Sequence, residues 1–421
     1  MVVRGETPVA QAAIRRTNLS RMLWDLHLSG AQSRSDLAVR LQLNRSTVAS
    51  LVTELVERGV VRENSGRRDA SSRPGRPSPV VELRPDGPAA IAVELATDWI
   101  NVAVIGFGGN VIVASRQDHP LAMSDPNDVI DQLHELVELT CHRVRGKTRV
   151  IAMGVSVPGA VRADDGYLYH APNLGWRDLP LGEMLRVRFE DLDVPVFIRN
   201  DADLAAAAEH TRGSGMGADD FICLWGEGGL GAGFVVAGQS LTGAAGYAGE
   251  VGHLMVDPNG ELCHCGSRGC WEAQLGEGTL LRRSGRDPLG GVEAVADLLA
   301  AADAGDEKAL SALAESGRWL GIGIAGLVNV FNPTRVALGG LYARIYPYIE
   351  DAVLTELNAR AMPAPRAMVE LTTVLLGPFA LLFGAAELAL APALQDPTIV
   401  PLLDSGRRVG GCGPAAAAAS H

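Results

Sequence analysis

The feature that most restricts the fold is a pattern of strands and glycine turns that occurs twice in the chain. Residues 90–115 read as strand, short loop, strand, a turn at Gly106-Phe107-Gly108-Gly109 and a further strand. Residues 221–243 read as strand, glycine loop, strand and a turn at Gly238. More strands and alanine-rich helices follow each segment, which is an α/β pattern. A weak internal duplication of this kind predicts two similar lobes that face a common cleft.

Charge divides the chain into a basic N-terminal part and an acidic remainder. The chain has 421 residues, a length that suits two or three domains, with 37 Lys+Arg and 49 Asp+Glu. Residues 1–80 hold 13 of the basic and 7 of the acidic residues, whereas the rest of the chain holds 24 and 42. The net charge therefore changes from +6 to −18. We expect only the first 80 residues to meet an anionic polymer such as DNA.

Apolar repeats in the basic part predict a helix-turn-helix. A first helix should end at Gly30, and two shorter helices should begin at the N-caps Ser33 and Asn44. The inner faces of the first and third helices should consist of Leu19, Met22, Leu23, Leu26, Val48, Leu51, Val52 and Leu55. Two short helices behind a longer one form a helix-turn-helix. The alternative, a plain three-helix bundle with a solvated arginine loop, is disfavoured by the confinement of basic charge to this part.

Side chains suited to DNA contact surround the third helix. The residues expected to reach base edges in the major groove are Arg45, Ser46, Thr47 and Ser50. Residues 62–76 are rich in Arg, Ser, Gly and Pro, and they look like the β-hairpin wing of a winged helix. The wing residues expected on phosphates or in a minor groove are Arg67, Arg68, Arg73 and Arg76. The predicted partner is double-stranded operator DNA.

One histidine and three cysteines have the spacing of a closed metal site. The pattern is His-x9-Cys-x-Cys-x4-Cys, and its members are His253, Cys263, Cys265 and Cys270. One imidazole and three thiolates match tetrahedral Zn2+, and four protein ligands leave no open position, so the zinc would be structural. The alternatives are reduced free cysteines, or one disulfide with an unpaired thiol. Three cysteines within eight residues, in a reducing compartment, favour zinc.

Nothing in the sequence predicts a membrane partner. The N-terminus lacks an apolar stretch behind basic residues, so it does not read as a signal peptide. The longest uncharged apolar run, Leu371–Ala386, contains Gly377-Pro378 and two threonines, which makes it a poor membrane span. We therefore expect a cytoplasmic protein.

Taken together, these segments resemble the ROK family of repressors, open reading frames and sugar kinases over nearly the whole chain. Beyond the helix-turn-helix, the matching motifs are Val157-Pro158-Gly159, Asn200-Asp201-Ala202-Asp203, Gly249-Glu250-Val251-Gly252-His253, the Cys-x-Cys-Gly-x-x-Gly-Cys-x-Glu segment at 263–272, and Leu338-Gly339-Gly340. The Glu-x-Gly-His segment combined with the cysteine segment is highly specific, whereas a single glycine motif is not.

The resemblance implies an α/β fold with three parts. An N-terminal winged helix-turn-helix would occupy residues 1–85, and a two-lobed sugar kinase-like body would occupy residues 86–404. This body would be of the actin/hexokinase type with ribonuclease H-like lobes. The Gly- and Ala-rich residues 405–421 are expected to form a disordered tail.

The resemblance also implies a sugar site between the lobes. The residues that match sugar-contacting positions of the family are Asn200, Asp201, Glu250, His253 and Glu272. Carboxylates and an amide can bond paired sugar hydroxyls, and His253 would place the zinc ligands beside the sugar. Asn173 is a weaker candidate. Asn200 and Asp201 could instead serve as the N-cap and first turn of a helix, but together with Glu250 and Glu272 we interpret them as sugar residues.

Asp201 matches the general base of ROK sugar kinases, but the loops that would bind ATP phosphates are altered. Kinases of the family carry Asp-x-Gly-Gly-Thr where this chain has Glu94-Leu95-Ala96-Thr97-Asp98, and Gly-Thr-Gly where it has Glu227-Gly228-Gly229. Both glycines of the first loop are lost and those of the second partly survive, while Asp98 and Glu227 add carboxylates that oppose phosphate binding.

The sequence therefore favours a non-enzymatic, sugar-responsive transcriptional regulator, in this family most often a repressor. Its effector would be a monosaccharide or sugar phosphate, and a pseudo-palindromic operator would require a homodimer or homotetramer. The alternative is an active ATP-dependent hexose kinase that carries a DNA-binding domain. A third possibility is a DNA-binding protein whose body has lost its ligand.

Overall fold

The computed structural model describes residues 8–64, 78–118, 121 and 123–403. The wing arginines Arg67, Arg68, Arg73 and Arg76 and the expected tail at 405–421 lie outside the described residues.

The basic part folds as a winged helix-turn-helix, here called the head. Its elements are α1 (Pro8–Ser29), β1 (Gln32–Ser33), α2 (Arg34–Leu41), α3 (Arg45–Glu57), β2 (Val61–Asn64) and β3 (Val80–Leu83). Ser33 and Asn44 accept hydrogen bonds from the backbone N–H groups of Asp36 and Thr47 at 3.1 and 2.8 Å, so both predicted N-caps are present. The predicted inner-face residues are all buried. Strands β2 and β3 pair antiparallel on either side of the predicted wing.

The first lobe of the body is a five-stranded sheet with two helices and a small second sheet. Its elements are β4 (Pro88–Leu95), β5 (Trp99–Gly106), β6 (Asn110–Asp118), α4 (Pro126–His142), β7 (Arg149–Val157), β8 (Ala160–Val161), β9 (Leu168–Ala171), β10 (Trp176–Leu179), α5 (Leu181–Arg188) and β11 (Val196–Asn200).

The second lobe carries most of the helices. Its elements, together with the two helices that pack between the lobes, are α6 (Asp201–Arg212), β12 (Phe221–Glu227), β13 (Gly229–Val236), β14 (Gln239–Ser240), α7 (Trp271–Leu275), α8 (Glu277–Arg283), α9 (Gly291–Asp303), α10 (Glu307–Phe331), β15 (Arg335–Gly340), α11 (Leu341–Arg360), α12 (Pro363–Met368), β16 (Glu370–Thr373) and α13 (Ala380–Gln395).

The two large sheets have the same topology. Their strand orders are β6-β5-β4-β7-β11 and β14-β13-β12-β15-β16. In each sheet the first three strands form an antiparallel meander, and the last two run parallel to the third. The duplication predicted from residues 90–115 and 221–243 is therefore confirmed, since the two sheets share one strand order. The predicted two-lobed α/β fold is also confirmed.

Helices α6 and α13 fill the space between the two sheets. Helix α13 packs on β4 and β7, α6 packs on β12 and β13, and the two helices pack on each other. The approach is close, because a Cβ at Gly154 would collide with the carbonyl of Ala385, and one at Gly384 with the carbonyl of Leu204. Residues Gly377–Gln395 are apolar and long enough to cross a membrane, but 56% of their most apolar 18-residue stretch is buried inside this core. This helix is thus explained by packing.

The head rests directly on the body. Leucines of α1 share one hydrophobic cluster with Ala389, Leu390 and Leu394 of α13. Arg58 at the end of α3 donates hydrogen bonds to the carbonyls of Thr398 and Val400 at 2.9 and 2.6 Å. The head therefore contacts both α13 and the segment that follows it. The predicted boundary between residues 85 and 86 lies in the loop between β3 and β4.

Candidate functional site

A pocket between the lobes brings together every residue that the sequence predicts for sugar binding. Its walls include Asn200, Asp201, Glu250, His253 and Glu272, and also the weaker candidate Asn173. They arrive from separate elements: β11 ends at Asn200, α6 begins at Asp201, a 3-10 turn holds His253, and α7 holds Glu272. The structure therefore brings these polar side chains together, and their contact with a sugar stays a prediction.

Asn200 and Asp201 also have the structural role that the sequence left open. Asn200 Oδ1 accepts the backbone N–H groups of Ala202 and Asp203 at 2.8 and 3.2 Å, and its Nδ2 donates to the Gly159 carbonyl at 3.0 Å. The N-cap of α6 is therefore real. Since the same side chain faces the pocket, capping and ligand contact are compatible, and the cap fixes the direction of Asp201.

Two further pocket carboxylates, Glu250 and Glu272, lie beside histidines of the segment that contains the cysteines. Glu272 Oε2 accepts the Leu230 N–H at 2.7 Å, and its Oε1 lies 3.2 Å from His264 Nδ1. His253 Nε2 lies 4.0 Å from Glu250 Oε2. His264 lines the pocket but was missed from the sequence. The signal was its position between Cys263 and Cys265, which ties it to the metal loop.

Burial among like charges raises the pKa of several pocket acids. Desolvation raises the pKa of Asp201 to about 7, and the charges of Glu250 and Glu94 add to this. The pKa of Glu250 is raised by burial and by Glu272, although His253 lowers it. The pKa of Glu227 is raised to about 8 by burial and by Glu94. No Lys or Arg lines this pocket among the residues that the structure describes.

The raised pKa of Asp201 gives a testable effect on stability. The folded chain binds the Asp201 proton more tightly than the unfolded chain, so the carboxylate destabilises the fold increasingly as the pH rises from about 4 to 7. We expect Asp201→Asn to raise stability by on the order of 1–2 kcal/mol at pH 8, after allowance for screening by water in the cleft, and little at pH 4.

Thermal unfolding at both pH values measures this effect, and in a chain of this length a gain of that size corresponds to roughly 1–2 °C at pH 8. Asp165→Asn is the matched control. Its carboxyl is exposed and pairs with Arg162, which lowers its pKa to about 2, so the substitution should not stabilise the fold. If Asp201→Asn changes stability equally at pH 4 and pH 8, the pKa of Asp201 is not raised in the folded protein.

The His/Cys cluster has the geometry of a metal site. His253, Cys263, Cys265 and Cys270 place their ligand atoms within 4.8 Å of one another. Cys263 Sγ lies 3.8 Å from His253 Nδ1, and the sulfurs of Cys265 and Cys270 lie 3.6 Å apart. Ligand atoms of a tetrahedral zinc with bonds of about 2.0–2.3 Å are separated by roughly 3.5–3.8 Å, so the set fits.

A second ligand set overlaps this one. His253 and Cys263 also lie within reach of His264 and Glu272. Both carboxylate oxygens of Glu272, however, already have partners: Oε2 accepts the Leu230 N–H, and Oε1 lies beside His264. Three thiolates and one imidazole are therefore the better donor set, and a metal there would leave His264 and Glu272 free to face the pocket.

The two altered loops of the sequence face one further cavity beyond the sugar pocket. Its wall includes Glu94, Thr97 and Asp98 from the first loop and Glu227 and Gly228 from the second. The two loops therefore border the same cavity, and three of these five lining residues, Glu94, Asp98 and Glu227, are acidic.

On the head, the predicted base-reading residues lie along the start of α3. Arg45, Ser46 and Ser50 are exposed, and Thr47 is half-buried. The Ser50 hydroxyl accepts a hydrogen bond from Arg15 of α1 at 2.9 Å, and Arg15 also pairs with Glu54 at 2.7 Å. Arg15 was not foreseen, because its apposition to α3 depends on how the helices cross.

Fold and site together define a two-lobed protein of the sugar kinase-like class with a winged-helix head. Residues 90–391 match the model of the ROK family, and the chain therefore belongs to this family. It is 28% identical over 385 residues to the xylose repressor of Bacillus spizizenii, with 90% of this chain and 96% of that protein covered.

Two solved structures show the same architecture. A ROK family transcriptional regulator, described as a homolog of the E. coli MLC protein, matches 91% of this chain and 97% of its own at a TM-score of 0.74 and 27% identity. A ROK family glucokinase from Streptomyces griseus, in complex with glucose and AMPPNP, matches 72% of this chain and 99% of its own at a TM-score of 0.62 and 27% identity. The kinase match thus covers less than three-quarters of the chain, whereas the regulator match covers nine-tenths of it.

Proposed function

We propose that this protein is a sugar-responsive transcriptional repressor whose affinity for operator DNA changes when a sugar binds between the lobes. The observation that carries the proposal is the joining, in one chain, of a winged-helix head to a pocket lined by Asn200, Asp201, Glu250 and Glu272. Its similarity to a xylose repressor and to a ROK transcriptional regulator over nine-tenths of the chain supports it.

The charge of the pocket favours an unphosphorylated effector. Asp201, Glu227, Glu250 and Glu272 all line it, with no Lys or Arg among the described lining residues. A phosphate group needs cations or free backbone N–H groups, and these carboxylates would repel it. We therefore favour a neutral monosaccharide over a sugar phosphate.

The same charges oppose kinase activity. The cavity next to the pocket, where a nucleotide would extend, holds Glu94, Asp98 and Glu227 in its wall. A triphosphate placed there would meet acidic side chains instead of phosphate-binding glycines, and the raised pKa values of Glu94 and Glu227 indicate surroundings that disfavour negative charge. Asp201 has the position of a general base, so an active hexose kinase is the alternative that a coupled ATP assay would detect.

Zinc is proposed as the structural metal at His253, Cys263, Cys265 and Cys270. When bound, it would fix the segment that carries Glu250, His253 and Glu272 against the pocket.

A single helix can relay the state of the pocket to the head. Helix α6 begins at Asp201 in the pocket and ends at Arg212, a length of about 18 Å. Arg212 Nε donates to Glu387 Oε1 of α13 at 2.7 Å, and Glu387 Oε2 lies 2.9 Å from His27 Nε2 of α1. We call His27, Arg212 and Glu387 the latch.

The latch is a buried cluster of ionisable side chains that joins α1 of the head to α6 and α13 of the body. The His27 side chain is completely buried, and those of Arg212 and Glu387 are 14% and 11% exposed. The Gly108 N–H donates to His27 Nδ1 at 2.9 Å, and His27 Nε2 lies beside both Glu387 and the guanidinium of Arg212. Although burial raises the pKa of Glu387, bonds and charges from His27 and Arg212 lower it overall.

The proposal is tested by measuring operator affinity across a panel of neutral monosaccharides and their phosphates. We expect at least one neutral monosaccharide to change the operator Kd by about 10-fold or more, since allosteric coupling is typically about 5–150-fold. A dimer whose operator affinity is the same with every sugar would remove the proposal.

Base reading by the head gives a separate prediction. Arg45→Ala should weaken operator binding by about 5–100-fold, because a good side-chain contact to a base edge is worth about 1–3 kcal/mol. Binding to random DNA should change much less. Fluorescence anisotropy with both DNAs measures this ratio, and Arg360→Ala on the distant helix α11 is the control. Equal losses on both DNAs would contradict base reading by Arg45.

A further inference from the structure

The three cysteines of the His/Cys cluster differ in their exposure to solvent. Cys270 is completely buried and Cys263 is 4% exposed, whereas Cys265 is exposed. Cys265 also belongs to a run of five exposed residues, 264–268, at the surface of the segment. Buried structural cysteines are inert, and reactive cysteines are at least partly exposed. Cys265 is therefore the sulfur ligand that a small reactant can reach from solvent.

A second thiol lies beside the exposed one. The sulfur of Cys265 lies 3.6 Å from that of Cys270. Because a disulfide bond is about 2.05 Å long, the two sulfurs need to approach by only about 1.5 Å. The turn between them has room to adjust, since a Cβ at Gly266 would have no neighbour within 4 Å. An exposed cysteine with a second thiol in reach is the arrangement of a redox-sensitive pair.

The other described cysteines outside this segment are protected from solvent. Cys141 lies on α4 and Cys223 on β12, and both are completely buried. Neither belongs to the His/Cys cluster. Among the described cysteines, a small oxidant in solvent will therefore react first at Cys265.

We propose that Cys265 and Cys270 form an oxidation site for hydrogen peroxide or another small hydroperoxide, and that their disulfide ends both zinc binding and the response to sugar. The site would be a modification site inside the metal-binding segment. Its first reacting atom is the exposed sulfur of Cys265, and the buried sulfur of Cys270 completes the disulfide.

The reaction balances with the peroxide as the only oxidant. The Cys265 thiolate attacks one peroxide oxygen and the O–O bond breaks, so the other oxygen takes up a proton and leaves as water. The sulfur of Cys270 then attacks the sulfenic acid at Cys265, and the remaining oxygen takes up a second proton and leaves as water. The two thiolates lose two electrons and the peroxide gains them. Since a disulfide is no thiolate donor, two of the four metal ligands are lost.

The regulatory consequence rests on the proposed function and on the proposed zinc. Without the metal, the segment that carries Glu250, His253 and Glu272 loses its restraint, so sugar affinity falls. The head has its own hydrophobic cluster, which contains no residue of the segment 249–272. The oxidised protein would therefore stay on the operator whether or not sugar is present.

The test is a hydrogen peroxide titration of the full-length, zinc-loaded protein carrying Cys412→Ser, which removes the cysteine outside the described residues. We expect about one equivalent of peroxide to release about one zinc per chain, measured with a zinc-binding dye. Dithiothreitol and added zinc should restore the metal. Trypsin cleaves after Arg268, between the two cysteines, so mass spectrometry should find Cys265 and Cys270 joined across two peptides.

Operator titrations follow the consequence for sugar sensing. Across a panel of neutral monosaccharides, the largest effect on the operator Kd should fall from about 10-fold or more to less than about threefold after oxidation. Reduction in the presence of zinc should restore the effect, because the thiol ligands are regenerated.

A ligand replacement at Cys265 supplies the decisive variant. Cys265→His keeps a nitrogen donor for zinc but has no thiol, so it should hold zinc and need at least about 10-fold more peroxide to release it. If this variant does not hold zinc, Cys265→Asp offers a carboxylate donor instead. Cys141→Ser is the matched control and should release zinc as readily as the parent protein.

Four results would overturn the inference. They are zinc retained in excess peroxide, a disulfide between other cysteines, equal peroxide sensitivity of a zinc-loaded Cys265 variant, and protein purified under reducing conditions without any zinc. Zinc release with the expected disulfide, in a protein whose operator affinity ignores every sugar, would support the oxidation site and remove the proposed function.

Discussion

Cys270→Ser is expected to remove the metal from the protein and to weaken sugar binding by about 100-fold, while the head still binds DNA. Cys270 is completely buried and its sulfur lies 3.6 Å from that of Cys265. It is also the residue directly before α7, which carries Glu272. Without the metal, we expect residues 249–272 to loosen, so that Glu250, His253 and Glu272 no longer converge.

Metal analysis and sugar titration of the same preparation measure this effect. The zinc content should fall from about one per chain to near zero, and operator binding without sugar should remain. Cys141→Ser is the matched control, because Cys141 is a buried cysteine on α4, outside the metal loop. Full zinc content in Cys270→Ser, or sugar affinity unaffected by metal removal, would contradict the assignment.

Glu387→Gln is expected to uncouple the head from the sugar pocket. The substitution removes the charge between Arg212 and His27, and removing one partner from a buried ion pair costs about 3–5 kcal/mol. The change in operator Kd caused by sugar should fall from about 10-fold or more to less than about threefold, whereas sugar affinity itself should change little.

Operator titrations with and without the active sugar measure this coupling. Glu370→Gln offers the same chemical change in a surface pair with Arg335, where the glutamate side chain is 62% exposed, and it should leave the coupling intact. Because a broken buried pair lowers stability, thermal unfolding must show that Glu387→Gln is folded. A folded Glu387→Gln protein with normal coupling would remove the latch as the relay.

Local patterns were enough to predict the head and the duplicated body. Capping by Ser33 and Asn44 depends on residues three positions away, and sheet topology follows from strands that repeat in order. The five residues predicted for sugar binding were chosen because the family motifs mark them, and the fold brings their three separate segments to one pocket.

Contacts between distant segments could not be predicted in this way. His27 and Glu387 are 360 positions apart in the chain, and neither lies in a pattern that names its partner. The same holds for Arg15, which reaches Ser50 across the head. Trp225 could be read as a core residue of a strand, and only the folded lobes place it in the wall between two cavities. These residues depend on packing geometry, which a single sequence does not encode locally.

Nucleotide turnover tests most directly whether the cleft has kept sugar recognition and lost triphosphate binding. The measurement is ADP release by the zinc-loaded protein with ATP, Mg2+ and the sugar that alters its operator affinity. We predict saturable binding of that sugar with no ADP release above the rate without sugar. Sustained release that depends on the sugar and disappears in Asp201→Asn would show that the protein is a kinase.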